Sequence, residues 1–438
     1  MLYPENTRQL EAIIQKARET KTPLVAVSSR GPHLHGASEN PNAETVDFSR
    51  MNRIIKIDRR SRYVRVEPGV TFDMLIPEVR AAGMRLNIPF LPRAGKSVVA
   101  SALEREAVLI PKYQYDYTDP LLTVEAVFGT GDAFRTGSAA GPGTPAETRA
   151  DMVVPWGPGC IDYLRFFSGA QGTMGFVTWA TLKTEVLPAL TKLYFVQAES
   201  AEKLTRLASI LLKRRIPDEC VILSRADFAG AFAVSAEEEE KLLKALEPWT
   251  MICRVSGFDR YPEERVSIYE GYLKDECNQA GLEAVTELGG LPGLAEKVES
   301  MIADCDRRET YWKMRQGGVR QIDMLAPPSR APRLIEILEN LRCPGDFGIT
   351  VQPQVQGRAF RIECSVYFSG APEEAGQVDK ALEDAARELY EAGAYFDRPY
   401  GSLSKLAYAA DPVSTEAMRK LKKIFDPDNI LNPGKLCF

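Results

Sequence analysis

The sequence predicts an α+β protein of two lobes: a glycine-rich N-terminal lobe, and a second lobe built on an antiparallel sheet. Three observations predict it. Short strand-like runs before Pro188 are separated by Gly/Pro-rich loops. After Pro188 longer amphipathic helices alternate with strand-like pieces. From residue 396 the chain closes with one more helix, a stop and an extended end. The expected units are 1–188, 189–395 and 396–438, the last returning to the first.

The elements follow in order. Leu10, Ile13, Ile14 and Ala17 sit at helical spacing, so 6–20 is an amphipathic helix. Pro23 leads into a buried strand, Leu24 to Val27, and then a loop, Ser28 to Gly36. Ile54–Ile57 and Tyr63–Val66 read as strands, and Pro68-Gly69 breaks the second. Thr71 can cap a helix with Phe72, Leu75, Ile76 and Val79 inside. Leu121–Phe128, the turn 129–132 and Ala133–Thr136 form a hairpin. The stretches 137–145 and 155–159 are loops, a short helix starts at Ile161, and a strand runs from Phe176 to Leu187. Beyond Pro188, strands are expected at 193–196, 251–255, 349–355 and 360–368. Helices are expected near 201–214, 236–247, 262–280, 332–341, 372–392 and 416–425.

Composition narrows the function. With 45% hydrophobic and 26% charged residues, a chain of 438 residues can bury a core without staples. A net charge of −5 argues against nucleic acid as a partner. No 18-residue apolar run and no secretory signal pattern occur, so a cytoplasmic protein is expected. The eight cysteines form no C-x-x-C pair, which argues against zinc and iron–sulfur centres. The only histidines are His33 and His35, so no metal site is expected and no distant histidine can act as a base.

Three segments could carry chemistry. The loop 28–36, Ser-Ser-Arg-Gly-Pro-His-Leu-His-Gly, follows a strand and could turn backbone N–H groups onto phosphate, or could be a plain surface loop. It is neither G-x-G-x-x-G nor a P-loop. In 168–177, Gly169, Gly172 and Gly175 recur every third residue before a strand, for close backbone approach or for a tight turn. The third is the tail Asp426-Pro427-Asp428-Asn429-Ile430-Leu431-Asn432-Pro433-Gly434-Lys435, a helix stop with a rigid end.

With the strand end Val66-Glu67-Pro68-Gly69-Val70, these segments resemble the FAD-linked oxidases of the vanillyl-alcohol oxidase and p-cresol methylhydroxylase superfamily, including glycolate oxidase and D-lactate dehydrogenase flavin subunits. The resemblance runs nearly end to end and is weakest between 200 and 300. It implies an FAD-binding fold of the p-cresol methylhydroxylase type, split around an α+β cap. It implies FAD held by Ser29, Arg30, Gly31, Pro32, His33, His35 and Gly36; by Pro92, Lys96, Ser97 and Val98; by Gly169, Gln171, Gly172, Gly175 and Val177; and by Asn432 and Lys435. In some relatives a histidine of this first loop bonds to the flavin 8-methyl carbon. His33 is the first candidate here and His35 the second, a non-covalent contact being the alternative. Cys160, Cys364 and Cys437 could offer a second link, though buried structural thiols are the plainer reading.

Two departures matter. The stretch 92–101 lacks the Gly-Gly-Asn pattern of many relatives, and the cap lacks the histidines that hold a metal in the hydroxy-acid branch. The base or anion holder must then be Tyr, Arg, Lys or a carboxylate. By resemblance, Arg398 with Tyr395 and Tyr400 would hold a phenolate, or form only a surface turn with Asp397. Arg315, in Tyr311-Trp312-Lys313-Met314-Arg315, would grip a carboxylate, or lie solvated on a helix face. Tyr367 alternates along a strand and could face the flavin. The expected activity is FAD-dependent oxidation of a small alcohol, 2-hydroxy acid or phenolic substrate, with electrons passed to an iron–sulfur or electron-transfer partner. The rival readings are an O₂-using oxidase acting alone and a non-catalytic flavin-binding subunit.

Overall fold

The computed structural model describes residues 1–35, 40–141, 143–144, 147, 154–157 and 162–438. Gly36, expected in the first loop, and Cys160 lie outside them. The helix Thr7–Thr20 starts where the Asn6 side chain accepts from the Gln9 amide at 3.0 Å, and it buries Leu10, Ile14 and Ala17. Leu24–Val27 follows, paired in parallel with Glu44–Asp47. Its other side meets the end of the chain. The Leu24 amide donates to Ile430 O at 2.7 Å, and the Asn432 amide donates to Leu24 O at 2.8 Å.

A six-stranded antiparallel sheet stands beside this pair. Its order is Ile54–Asp58, Tyr63–Val66, Phe176–Val186, Leu121–Val127 and Ala133–Arg135, with Met84–Leu86 also on Phe176–Val186. The helix Phe72–Ala81 turns Phe72, Leu75, Ile76 and Val79 into this lobe's core. The chain leaves for the second sheet between Val186 and Leu190, around Pro188.

The second sheet has seven strands, antiparallel at every pairing. In spatial order they are Ala284–Val285, Leu190–Ala198, Trp249–Gly257, Glu219–Ser224, Asp346–Gln354, Ala359–Phe368 and Gly318–Ala326. Alternation sorts the side chains. Ile322, Met324, Ile349, Val351, Ile362, Cys364 and Val366 fill a core under the helices Ala201–Lys213, Ala331–Glu339 and Pro372–Glu391. The residues between them, among them Gln321, Asp323, Arg361, Glu363, Ser365 and Tyr367, make the opposite face. That face is polar and turned toward the first lobe.

Several contacts fix the lobes together. Arg85 Nη1 donates to Glu219 Oε1 at 2.8 Å with both side chains buried, and the Asp306 amide donates to Pro92 O at 2.7 Å. The last helix, Pro412–Phe425, stops at Asp426. That buried carboxylate accepts from the Ile430 and Leu431 amides at 3.1 and 2.8 Å and from Lys422 Nζ at 2.5 Å. Gly129 lies against it, and a Cβ there would run into the Asp426 carboxylate.

Candidate active site

A cavity of about 800 Å³ separates the first loop from the polar face of the second sheet. One wall is the segment from Val25 to Gly31 with His33, Leu34 and His35. The other carries Lys313, Gln321, Gln352, Arg361, Glu363 and Arg398. Between them, Pro89, Phe90, Pro92, Arg93 and Lys96 form the floor with Glu104 and Glu106.

The loop is braced from behind. The Ser97 amide donates to Ser29 Oγ at 3.0 Å, the Arg30 amide to Gly95 O at 2.9 Å, and Arg93 Nη1 to Arg30 O at 2.6 Å. Among the described residues, the amides of Gly31, His33, Leu34 and His35 donate to no protein group. Arg93 is half-buried on the cavity floor and, among the described residues, forms no ion pair with a carboxylate. The arginine of the loop itself, Arg30, is paired with Asp73.

The cap face is charged and internally paired. Arg398 Nη1 lies 3.0 Å from Asp323, and Arg361 lies 3.1 Å from Asp323 and 2.6 Å from Asp397. Both guanidinium groups are buried, and each Nε lacks a hydrogen-bond partner. Lys313 pairs with Glu363, whose Oε1 also accepts from Ser365 Oγ at 3.1 Å. On the floor, Lys96 lies 2.8 Å from Glu104 and 2.5 Å from Glu106. Burial pushes the Glu106 carboxyl up, but Lys96 and Arg398 outweigh it and hold it at about 2.

His35 joins the lobes. Its Nε2 is 3.1 Å from Gln321 Oε1, and its ring stacks on Tyr400 with centroids 4.6 Å apart. Burial, and then the Arg398 charge, push its pKa below the ordinary imidazole value, so it is held neutral. His33 is exposed and makes no hydrogen bond to a described residue.

The structure gathers some of the expected residues and scatters others. Ser29, Arg30, Gly31, His33, His35, Pro92, Lys96 and Arg398 line the cavity, with Pro32 exposed in the same loop and Tyr400 one layer behind His35. Lys96 stands between two carboxylates, and the Ser97 hydroxyl donates to Pro68 O at 2.5 Å while capping Ala100. Both support the loop from behind; Arg93, which the sequence reading passed over, faces the cavity instead. Val98 and Val177 are core residues.

The second glycine loop does not reach this cavity. Gly169 and Gly172 take left-handed φ values of 76° and 71°, and Gly175 is packed on Phe167. Gln171 ties the loop to the returning chain: its Nε2 donates to Pro399 O at 2.8 Å, and its O accepts from Asn432 Nδ2 at 2.7 Å. Lys435 borders a separate hollow of about 260 Å³ with Asn40, Pro433 and Gly434.

Three expected catalytic residues lie elsewhere. Tyr395 is 65% exposed, its backbone bridged to Leu325. Arg315 bonds Glu239 at 2.9 Å and lies 3.9 Å over the Tyr367 ring, whose hydroxyl donates to buried Asp227 at 2.5 Å. The physical reason is cover: the helix Arg225–Phe232 closes over this end of the polar face, so Tyr367 meets Asp227 rather than the cavity. Sequence reading missed Arg93, Glu104, Glu106, Tyr311, Lys313, Gln321, Asp323, Arg361 and Glu363. The signal for the last two was present, as polar residues at alternate positions of an otherwise apolar strand.

Comparisons agree with this architecture. The FAD binding domain family matches residues 1–137, and the C-terminal domain of FAD linked oxidases matches 400–436. Glycolate oxidase subunit GlcD of Bacillus subtilis is 24% identical, over 100% of this chain and 88% of its own. D-lactate dehydrogenase of Anaerostipes hadrus is 20% identical, over 99% and 88%. The fold is that of p-cresol methylhydroxylase, whose crystal structure superposes with a TM-score of 0.82 at 19% identity, covering 100% of this chain and 88% of that one. The chain is therefore a flavoprotein oxidoreductase with FAD as its cofactor. Its two matched segments are those of FAD-linked oxidases, and the chain is similar end to end to flavoproteins of the p-cresol methylhydroxylase type.

The cavity residues fit that cofactor. Uncommitted loop amides beside an unpaired arginine suit a pyrophosphate. The volume is at the upper end for small-molecule sites, which run to roughly 1,000 Å³. Among the described residues no three potential metal ligands cluster, and no helix is long and apolar enough to cross a membrane.

Proposed function

We propose that this chain is an FAD-dependent dehydrogenase. It oxidises a small alcohol, 2-hydroxy acid or phenolic substrate in the interlobe cavity and passes the electrons to a separate electron-transfer protein. The observation that carries the reading is the charged wall formed by Arg361 and Glu363 of the sheet with Lys313 and Arg398 beside them, set across a cavity from a loop of uncommitted amides. The names of the relatives point the same way: lactate, glycolate and cresol are small hydroxylated molecules. The partner follows from the absence of any cluster motif in the sequence. It also agrees with the "flavoprotein subunit" in the name of the Pseudomonas putida 4-cresol relative.

When bound, FAD would supply the acceptor for a hydride, which carries both electrons of the oxidation. The residues of this chain do the rest. Gly31, His33, Leu34 and His35 offer amides to the pyrophosphate, and Arg93 offers charge. Arg398 and Arg361 are fixed in place by Asp323 and Asp397, so their fields are set before substrate arrives. The substrate hydroxyl proton goes to a cavity carboxylate, Glu104 or Glu363, since both histidines belong to the loop. His33 is the histidine available for a flavin bond, because His35 is engaged by Gln321 and Tyr400.

The test is the visible spectrum of purified protein, recorded before and after acid precipitation and then during anaerobic titration with glycolate, D-lactate and 4-methylphenol. Bleaching of the flavin bands by one of them supports the oxidoreductase reading, and reoxidation by an added electron acceptor without peroxide release on exposure to air supports a dehydrogenase. Flavin that none of the three reduces overturns it. Colour in the acid pellet that His33→Ala abolishes supports the histidine link.

A further inference from the structure

The turn Trp312–Met314 is anchored by its central aromatic residue. The Trp312 side chain is 1% exposed, and its backbone amide donates to Asp306 Oδ2 at 2.9 Å. Its two neighbours emerge together on the cavity wall, Tyr311 on one side and Lys313 on the other. Arg315, two positions on, leaves in another direction. Its Nε bonds Glu239 at 2.9 Å, and its Nη1 and Nη2 meet the Trp312 and Ala226 carbonyls at 3.3 and 3.5 Å. The only arginine of this segment is therefore committed before any ligand arrives.

Lys313 is not committed in that way. Its ammonium has three N–H donors and uses one, on Glu363. The Tyr311 hydroxyl makes no hydrogen bond to any described residue. Burial raises its pKa to about 12 despite the nearby ammonium, so it remains an O–H donor at neutral pH. Two spare N–H groups and one spare O–H thus face the same cavity from one rigid turn. Lys313 has no acceptor and the Tyr311 hydroxyl has a free proton to donate, so an oxyanion completes the set.

We propose that Lys313, assisted by the Tyr311 hydroxyl, is the substrate-binding pair that holds the anionic oxygen of the substrate, a carboxylate or a phenolate. The inference rests on the oxidoreductase reading of the cavity and narrows it to anionic substrates. Lys313 and Tyr311 set specificity here, and Arg315 is a structural neighbour.

The experiment is calorimetric titration of the FAD-loaded protein with two probes that the flavin does not oxidise, oxalate for a carboxylate and 4-nitrophenol at pH 9, where it is ionised, for a phenolate. The variants are Lys313→Met, Lys313→Arg, Tyr311→Phe and Arg315→Lys. Wild type binds one probe, which identifies the oxyanion. Lys313→Met weakens that binding at least tenfold, Tyr311→Phe weakens it severalfold, and Lys313→Arg restores most of it. Arg315→Lys changes it less than twofold. Should Lys313→Met fail to fold, the contrast between Tyr311→Phe and Arg315→Lys carries the same decision. Equal binding by wild type and Lys313→Met, or loss on Arg315→Lys alone, overturns the pair. If neither probe binds while a neutral alcohol bleaches the flavin, the anion assignment is wrong and the dehydrogenase reading stands. If nothing bleaches the flavin but oxalate binding still depends on Lys313, the dehydrogenase reading fails and the anion site survives.

Discussion

His35 lies flat against Tyr400, ring centroids 4.6 Å apart and planes at 15°, so that the loop after the first strand rests on the segment returning from the cap. The same imidazole reaches Gln321 of the cap sheet at 3.1 Å. One ring thus touches three parts of the chain.

This contact should be lost in mild acid. Burial and Arg398 lower the His35 pKa, so the folded protein takes up its proton at a lower pH than the unfolded chain does. The stability it gives is present above the ordinary value near ~6.5 and declines as pH falls below it. Thermal unfolding followed from pH 7.5 to pH 5 should show a midpoint that drops in wild type and drops less in His35→Phe. Parallel curves would exclude the imidazole as the cause.

Glu106 acts in a lower window. Held at about 2 by Lys96 and Arg398, it stabilises the fold above the unfolded carboxyl value and loses that effect as pH falls toward 2. Glu106→Gln should cost about 3 kcal/mol at pH 7, the lower end for breaking a buried pair, since Glu104 still holds Lys96. Urea unfolding at pH 7 and pH 3 checks it: the gap between variant and wild type must narrow in acid.

Arg93→Ala should raise the FAD dissociation constant by about tenfold to a hundredfold, matching the ~1.5–3 kcal/mol of a hydrogen bond to a charged group. Flavin fluorescence titration of apoprotein reads it directly. Lys96→Met should instead lower stability first. Reversed outcomes would return the phosphate-facing role to Lys96.

Gly129→Ala places a methyl group against the Asp426 carboxylate, which organises the chain's return to Leu24. Overpacking of this kind costs about 1–3 kcal/mol. Limited proteolysis should cut the variant after residue 425 faster than wild type, and equal rates would show that the carboxylate moves aside freely.

Much of the fold was legible. The helices Thr7–Thr20 and Phe72–Ala81 and the strands Leu24–Val27 and Tyr63–Val66 lie where periodicity put them. The missed elements have physical reasons. The helix Arg225–Phe232 is buried nearly all round and so shows no amphipathic rhythm. Gly318–Ala326 opens on glycine and carries Arg320, Gln321 and Asp323, which disguise a strand whose outward face is polar. At the site, the sequence pointed to the first loop and to Arg398. It could not show that Lys96 is enclosed by Glu104 and Glu106, or that Arg315 turns away to Glu239 while Lys313 turns inward. Those outcomes depend on partners far along the chain.

The pairing of Leu24 with Ile430 and Asn432 also sets an order of events during synthesis. The first strand leaves the ribosome some four hundred residues before its second neighbour exists, so until Ile430 and Asn432 have been made one edge of it stays bare. The loop that follows Val27 gains its braces from Arg93, Gly95 and Ser97 early, whereas the strand that carries it gains its second neighbour only when residues 430–432 arrive. A chain truncated before residue 430 should therefore hold its first strand less firmly and bind flavin more weakly than the chain that carries Ile430 and Asn432.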